Sequence, residues 1–498
     1  MNKKKMEKKY LVGRLILSSK NTYKLNNKPA KECLILSENQ KSLLIFTNKE
    51  FNPIDNYVLI DIEKKIIVEN YGNIGIYIVD LNIYNYLYTY FWLSNTQINK
   101  YLLNWNLEYD ICPIREIYIN QVITIDPVNS IDLDDGFSLN FTKDIIELDI
   151  HIADPMSYFD LEKKDCWIIL EEMINRLSTC YIPLNDKIKH LLPETKGKNL
   201  LKESTLIGTN KRAITFSFKI SINNKQIDFE IRNTLLKNIC NMSYEDYDII
   251  LNNNLKDKKN LIDLCNFISQ EIGTNFEELK IKNNISHKII EIFMILTNYY
   301  GGNYLYKKGK KILVRTQNKF IPTNIIIPEY VKTFFNIGAI YKIIKNGDKD
   351  DYFHHSLGLK NYSHLTSPMR RAVDMINHLF LHNVDEKKEI NDKLEKIIDI
   401  EIINLKLKNY KKLSNAYQII KYLEITNKFR AFVFNISKSN SMLLIITTHT
   451  NDFKKIIKVK IPLEYINKIK QFDEIDIQLF YDSYKFKSKL LPFSIKIL

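Results

Sequence analysis

A multidomain protein, with an α+β body flanked at both ends by all-β, OB-like barrels, is the architecture this sequence predicts. Three observations carry the prediction. Residues 1–108 and 428–498 consist of short β-type runs broken by Asn, Pro and Lys clusters. Residues 109–427 mix such runs with long amphipathic segments. A chain of 498 residues, 45% of them hydrophobic, holds about three domains at roughly 150 residues each.

In the N-terminal region the β-type runs are Tyr10–Leu17, Ser42–Thr47 and Tyr57–Ile62. The central body is expected to carry strands around residues 122–141 and helices over Glu162–Leu177, His287–Tyr306 and Ile390–Phe429, where apolar residues recur at helical spacing. The C-terminal region resumes the β pattern at Arg430–Ile436, Ser441–Thr448, Ile457–Pro462 and Ile475–Phe480. About five short strands over some 70 residues suit an OB-type barrel, a frequent binder of single strands.

Lys plus Arg outnumber Asp plus Glu by 72 to 58, a formal charge of +14, which favours a polyanionic partner. Lysines scattered over a solvated face explain that charge, taken alone, equally well. The six cysteines are far apart and form no paired metal-ligand spacing, so a reducing, cytoplasmic setting is the expectation. The basic start Met1–Lys9 has no apolar segment after it, and no stretch approaches ~18 apolar residues; a membrane span is not expected, and organelle import is left open.

Against this basic background, Asp126, Asp132, Asp134 and Asp135 fall within one short turn between two apolar runs, Val122–Ile125 and Phe137–Phe141. Each ionised neighbour opposes ionisation of the others unless a cation lies among them, and a hard divalent metal is the simplest such cation. A Ca2+ loop of the EF-hand type fails on spacing: with Gly136 at its sixth position the loop would start at Ile131, which has no ligand atom to offer. A plain solvated acidic loop is the competing reading. It does not account for strands that aim the carboxylates from both sides.

The second constellation is Leu365-Thr-Ser-Pro-Met-Arg-Arg. Ser367 suits an N-cap and Pro368 the first helical position, so a helix is expected to start here with Arg370 and Arg371 in its first turn. Free N–H groups, the helix dipole and a guanidinium would then converge on a phosphate. An ordinary Arg370–Asp374 surface pair is the plainer reading.

Together these motifs resemble the ribonuclease II and ribonuclease R (RNB) exoribonuclease family. Thr124–Ser138 is similar to its acidic signature, His151-Ile-Ala-Asp to the strand after it, and Leu365–Arg371 to its arginine motif. Ser178–Pro183 with Leu192-Pro-Glu, Asn233-Thr-Leu-Leu with Met242-Ser-Tyr, Glu291–Asn298 and His355–Leu359 follow in the family's order. The resemblance implies a cold-shock-type barrel in 1–108, an RNB catalytic domain in 109–427 and an RNA-binding OB barrel in 428–498.

It also implies a processive, hydrolytic 3′-to-5′ exoribonuclease that degrades single-stranded RNA to nucleoside 5′-monophosphates, working as a monomer with no membrane role. By that likeness Asp126, Asp132, Asp134 and Asp135 hold two Mg2+ ions, with Mn2+ as a substitute, and Asp134 and Arg370 are catalytic. Arg370, Arg371 and Tyr181 would contact RNA, Tyr181 by stacking on the terminal base. Tyr244 is a further channel residue. Glu291 and Asn298, seven apart on one helix, are expected to share a face along the channel. Gly136 stands where the family usually has Ala, an exchange of two small residues expected to be harmless. Pro155-Met156 and Ala372 also depart from the pattern. Two other classes stay open: an RNB-fold protein that binds RNA without cutting it, and a metal-dependent nuclease for DNA or small nucleotides.

Overall fold

The computed structural model describes residues 10–16, 23–35, 42–46, 56–73, 101–102, 105–142, 144–184, 187–194, 199–275, 284–318, 338–344, 352–437, 441–448, 453–481 and 493–498. The chain divides into two compact units: Met1–Phe91, Ile325–Phe334 and Lys406–Leu498 form the first, and Trp92–Asn324 and Phe335–Leu405 the second.

The first unit contains two β systems. In the N-terminal one, six strands pair around Tyr10–Leu15, which bonds antiparallel to both Lys28–Ile35 and Asn56–Asp61. Leu15, Cys33, Ile45, Val58 and Ile60 form its core. The runs expected at Tyr10, Ser42 and Tyr57 are strands; Leu17 and Thr47 lie outside the described residues. In the C-terminal system five antiparallel strands follow the spatial order Lys454–Lys460, Ser441–Thr447, Lys428–Ser437, Glu474–Tyr481, Phe493–Ile497.

At the centre of the second unit is a closed five-stranded barrel. Its order is Lys211–Ser221, Gln226–Ser243, Glu116–Asp126, Asp135–Phe141 and Ile146–Ala153, which returns to Lys211–Ser221. Val122, Ile150, Ile152, Phe216 and Phe218 are buried in it, and such apolar burial is what drives closure of the sheet. Glu116–Asp126 and Asp135–Phe141 share a single ladder pair, Ile123 with Phe137. They therefore splay where the acidic turn leaves the sheet.

Helix Ser286–Lys307 packs against the segment that leads into the arginine motif. Buried Asp248 accepts the N–H groups of Ile285 and Ser286, both at 3.0 Å, supplying the cap that the helix start lacks from its own side chains. Gly302 lies so close to the Asn361 carbonyl that a Cβ there would collide with it. The single helix expected over Ile390–Phe429 is instead two, Lys388–Ile397 and Ile400–Leu423, followed by a strand from Lys428. Ile398 is extended, and Asp399 starts the next helix by accepting the Ile402 N–H at 3.1 Å. Among the described residues no helix is long and apolar enough to cross a membrane.

Candidate active site

The acidic turn is anchored through its backbone. Leu133 donates its N–H to Thr205 Oγ1 at 3.1 Å and accepts from Leu206 at 3.1 Å, while Ala153 donates to the Asp134 carbonyl at 2.7 Å. Asn129 takes the left-handed conformation that Asn tolerates, with φ 66°, where the turn reverses. Asn241, on the parallel neighbour strand, ties Thr124 Oγ1 to the Leu206 carbonyl with its side-chain amide. Asp126 and Asp135 thus sit at strand ends, and Asp132 and Asp134 on a braced loop.

Burial shapes the electrostatics of Asp126, Asp134 and Asp135. Asp126 is pushed up to about 7, by burial first and then by Asp135 and Asp132, with Arg370 opposing. Asp135 rises to about 6 through burial, partly offset by Arg370 and Arg371. Asp134, 2% exposed, is also raised by burial, with Arg370 and the Met369 N–H opposing. Asp126 Oδ2 is buried with no hydrogen-bond partner. Among the described residues no three His, Cys, Asp or Glu side chains stand close enough to enclose an ion by themselves.

These donors nevertheless fit Mg2+. The set is all oxygen, one buried carboxylate oxygen lacks a partner, and Mg2+ commonly takes one or two carboxylates and completes its shell with water and substrate phosphate. Asp134 is already engaged, which leaves Asp126, Asp135 and Asp132 as the ligands on offer.

The arginine motif meets the aspartates directly. Met369 donates its N–H to Asp134 Oδ1 at 2.7 Å, Arg370 donates Nε–H to Asp134 Oδ2 at 3.0 Å, and Arg370 also reaches Ser367 Oγ at 2.9 Å. The expected helix start at Ser367 is displaced: the helix is Ala372–Leu381, with Arg371 in extended conformation before it. The reason lies in long-range pairing. Arg371 bridges Ser178, Thr179 donates to the Arg370 carbonyl, and Ala372 donates to the Leu177 carbonyl, which holds Arg371 extended after the turn that contains Arg370. The plainer expectation of an Arg370–Asp374 pair is corrected too, because Arg371 makes that bond at 2.7 Å.

Tyr181 is 46% exposed, and its hydroxyl donates to Asp132 Oδ2, so its ring is fixed beside the acidic turn. Tyr244 opens the helix Tyr244–Asn253, one residue beyond the Ser243–Asp126 register pair. It stacks on His287 with ring centroids 3.6 Å apart and planes at 11°. His287 is an exposed ring that the sequence reading passed over; its place at the start of the helix expected over His287–Tyr306 was the available signal.

Glu291 and Asn298 lie on one side of the helix Ser286–Lys307, two turns apart, but in different surroundings. Glu291 is exposed and paired with Lys288 at 2.9 Å, whereas Asn298 is 3% exposed. Asn298 accepts the Leu365 N–H at 2.8 Å and donates to Tyr362 Oη at 3.1 Å, bracing the strand that precedes Ser367. The segment carrying Tyr362 and Leu365 covers the helix at Asn298 and leaves Glu291, two turns earlier, in solvent. At Gly136, where Ala was expected to be harmless, a Cβ would sit 2.8 Å from Val122 Cγ1 and 3.1 Å from the Ile123 carbonyl, so Ala fits only if Val122 shifts. The histidine of His151-Ile-Ala-Asp is a core residue between Ser138 and Thr215, pushed down to about 3 by burial.

The chain is similar to known proteins in sequence and in fold. The chain is 25% identical over 338 residues to the mitochondrial exoribonuclease II of Saccharomyces cerevisiae, covering 54% of this chain and 34% of the relative's length. In fold it is similar to Mycoplasma genitalium RNase R solved with ribose-methylated single-stranded RNA, at TM-score 0.67 and 15% identity, covering 98% of this chain and 89% of that one. Yeast Ssd1, described as a pseudonuclease, has the fold as well, at TM-score 0.56 and 14% identity over 90% of this chain and 65% of that one. The family model for the RNB domain matches residues 114–387, more than half of the chain, and the protein belongs to the RNB domain family.

Proposed function

We propose that this protein is a metal-dependent 3′-to-5′ exoribonuclease that removes nucleoside 5′-monophosphates from single-stranded RNA. The observation that carries the reading is the junction of the two motifs: Arg370 is bonded to Asp134 through its guanidinium while its side chain remains 41% exposed, and its charge acts on Asp126 and Asp135 as well.

In this reading one or two of Asp126, Asp135 and Asp132 would hold Mg2+ together with water and substrate phosphate, and the ion when bound would supply an activated water and neutralise phosphate charge. The protein's own groups do the rest. Asp134 orients Arg370 by accepting its Nε–H, leaving the outer guanidinium N–H groups for a phosphate oxygen as negative charge builds. Tyr181, held by Asp132, offers an exposed ring face to the terminal base, which positions the last phosphodiester against the acidic turn. Stacking ignores base identity, so degradation without strong sequence preference is expected. The Tyr244–His287 pair offers a second ring surface near Asp126.

The test is substrate discrimination. Purified protein with Mg2+ is given 5′-labelled single-stranded RNA, the matching DNA, and RNA with a blocked 3′ end. Shortening of the unblocked RNA from its 3′ end, with DNA and blocked RNA spared, supports the reading. Cleavage of DNA at a similar rate contradicts it. Intact RNA with binding that survives EDTA makes the protein an RNA binder instead.

A further inference from the structure

We propose that Cys112 is a reactive thiol built for reversible modification by low-molecular-weight disulfides. Three segments distant in sequence bring a sulfur, an imidazole and a carboxylate into line. Cys112 Sγ lies 3.1 Å from His382 Nδ1, and His382 Nε2 lies 2.9 Å from Asp154 Oδ1. His382 is the C-terminal cap of the helix Ala372–Leu381, and Asp154 follows the barrel strand Ile146–Ala153. The imidazole and carboxylate side chains are 1% and 0% exposed, while Cys112 is partly open to solvent.

The charges around this line decide its chemistry. Arg115 holds Asp154 at 2.8 Å from one side and His382 from the other, and Arg115 and Arg212 share Asp110 at 2.6 and 3.3 Å. A fully buried carboxylate with a cation on each side keeps the imidazole protonated, so its Nδ1–H has the Cys112 sulfur as acceptor. A sulfur facing an imidazolium that a carboxylate orients is the arrangement in which cysteines act as nucleophiles. The RNA-cleaving reading uses none of these groups. Cys33, Cys166, Cys180 and Cys265 are buried, and the other partly open cysteine, Cys240, has no hydrogen bond to a histidine among the described residues.

In the exchange, the Cys112 sulfur loses its proton and attacks one sulfur of the disulfide. A new S–S bond forms as the old one breaks, and the departing thiolate takes up a proton, so that a thiol and a disulfide give a mixed disulfide and a thiol.

The full-length native protein is treated with oxidised glutathione at pH 6.5, quenched at intervals and mapped by peptide mass. Cys112 is expected to gain the glutathione adduct about ten times faster than Cys240, and His382→Gln to remove that advantage. The wild-type comparison stands even if His382→Gln fails to fold, which circular dichroism would report. Equal labelling of Cys112 and Cys240 in the wild type overturns the proposal, as does an undiminished Cys112 advantage in folded His382→Gln.

Discussion

Arg370 donates its Nε–H to Asp134 Oδ2 at 3.0 Å, joining residues 236 positions apart in the chain. The Asp134 side chain is 2% exposed and that of Arg370 41%, so one partner of the pair is fixed in the protein and the other reaches solvent. The planar fork is what makes this work: Nε faces Asp134, NH2 faces Ser367, and outward N–H groups are left over.

Arg370→Lys keeps the charge and loses the fork. Degradation of RNA is expected to slow by about a hundredfold or more, as when a preorganised donor to developing charge is removed. Single-turnover rates on saturating labelled RNA check this. A Lys variant with wild-type rates would show that charge alone suffices.

Metal binding and proton binding compete at the acidic turn. Asp126 is held up to about 7 by burial and its carboxylate neighbours, well above an unfolded Asp. Because the folded value is raised, its contribution to stability is full below the unfolded value and is lost as pH rises through about 7. Without metal, Tm is expected to fall between pH 5 and pH 8, and added Mg2+ to raise Tm more at pH 8 than at pH 5. Asp126→Asn should weaken both trends. Scanning calorimetry settles the matter, and an Mg2+ shift equal at the two pH values counts against this assignment.

The buried His382–Asp154 pair has its own pH window. Burial alone would push His382 down, yet the Asp154 carboxylate outweighs it and holds the imidazole up to about 10. The folded value is raised, so the stabilisation is complete below the unfolded His value near 6.5 and fades as pH climbs toward 10. Urea midpoints at pH 6, 8 and 10 should decline for the wild type and flatten for a folded His382→Gln. Parallel declines in both proteins would rule the pair out as the cause.

Gly136→Ala inserts a methyl group where Val122 Cγ1 is 2.8 Å from the Cβ position. A loss of about 1–3 kcal/mol of unfolding free energy is expected, as for other overpacked sites. An unchanged denaturation midpoint would show that Val122 moves aside at little cost.

The parts of this molecule that could be read from sequence were those set by neighbours in the chain. The acidic turn between two apolar runs, the strands beside it and the helix near His287–Tyr306 all rest on local periodicity and spacing. What escaped depends on contacts between distant segments. The helix after Pro368 starts at Ala372 because Leu177, Ser178 and Thr179 pair with residues 370–372 and hold Arg371 extended. Asn298 is a buried brace because Leu365 and Tyr362 happen to pack there, and nothing within its own helix announces this. The tightness around Gly136 is set by Val122 and Ile123 on the neighbouring strand, and Tyr181 is held by Asp132, 49 positions away.

The central claim is that Asp134 and Arg370 form one catalytic unit for cutting RNA from its 3′ end. The most direct test compares wild type and Asp134→Asn on 5′-labelled single-stranded RNA with Mg2+, measuring binding and shortening in parallel. Wild type is expected to produce a ladder receding from the 3′ end, and Asp134→Asn to bind the same RNA while shortening it at least about a thousandfold more slowly. Equal shortening by both proteins, or none by the wild type, would contradict it.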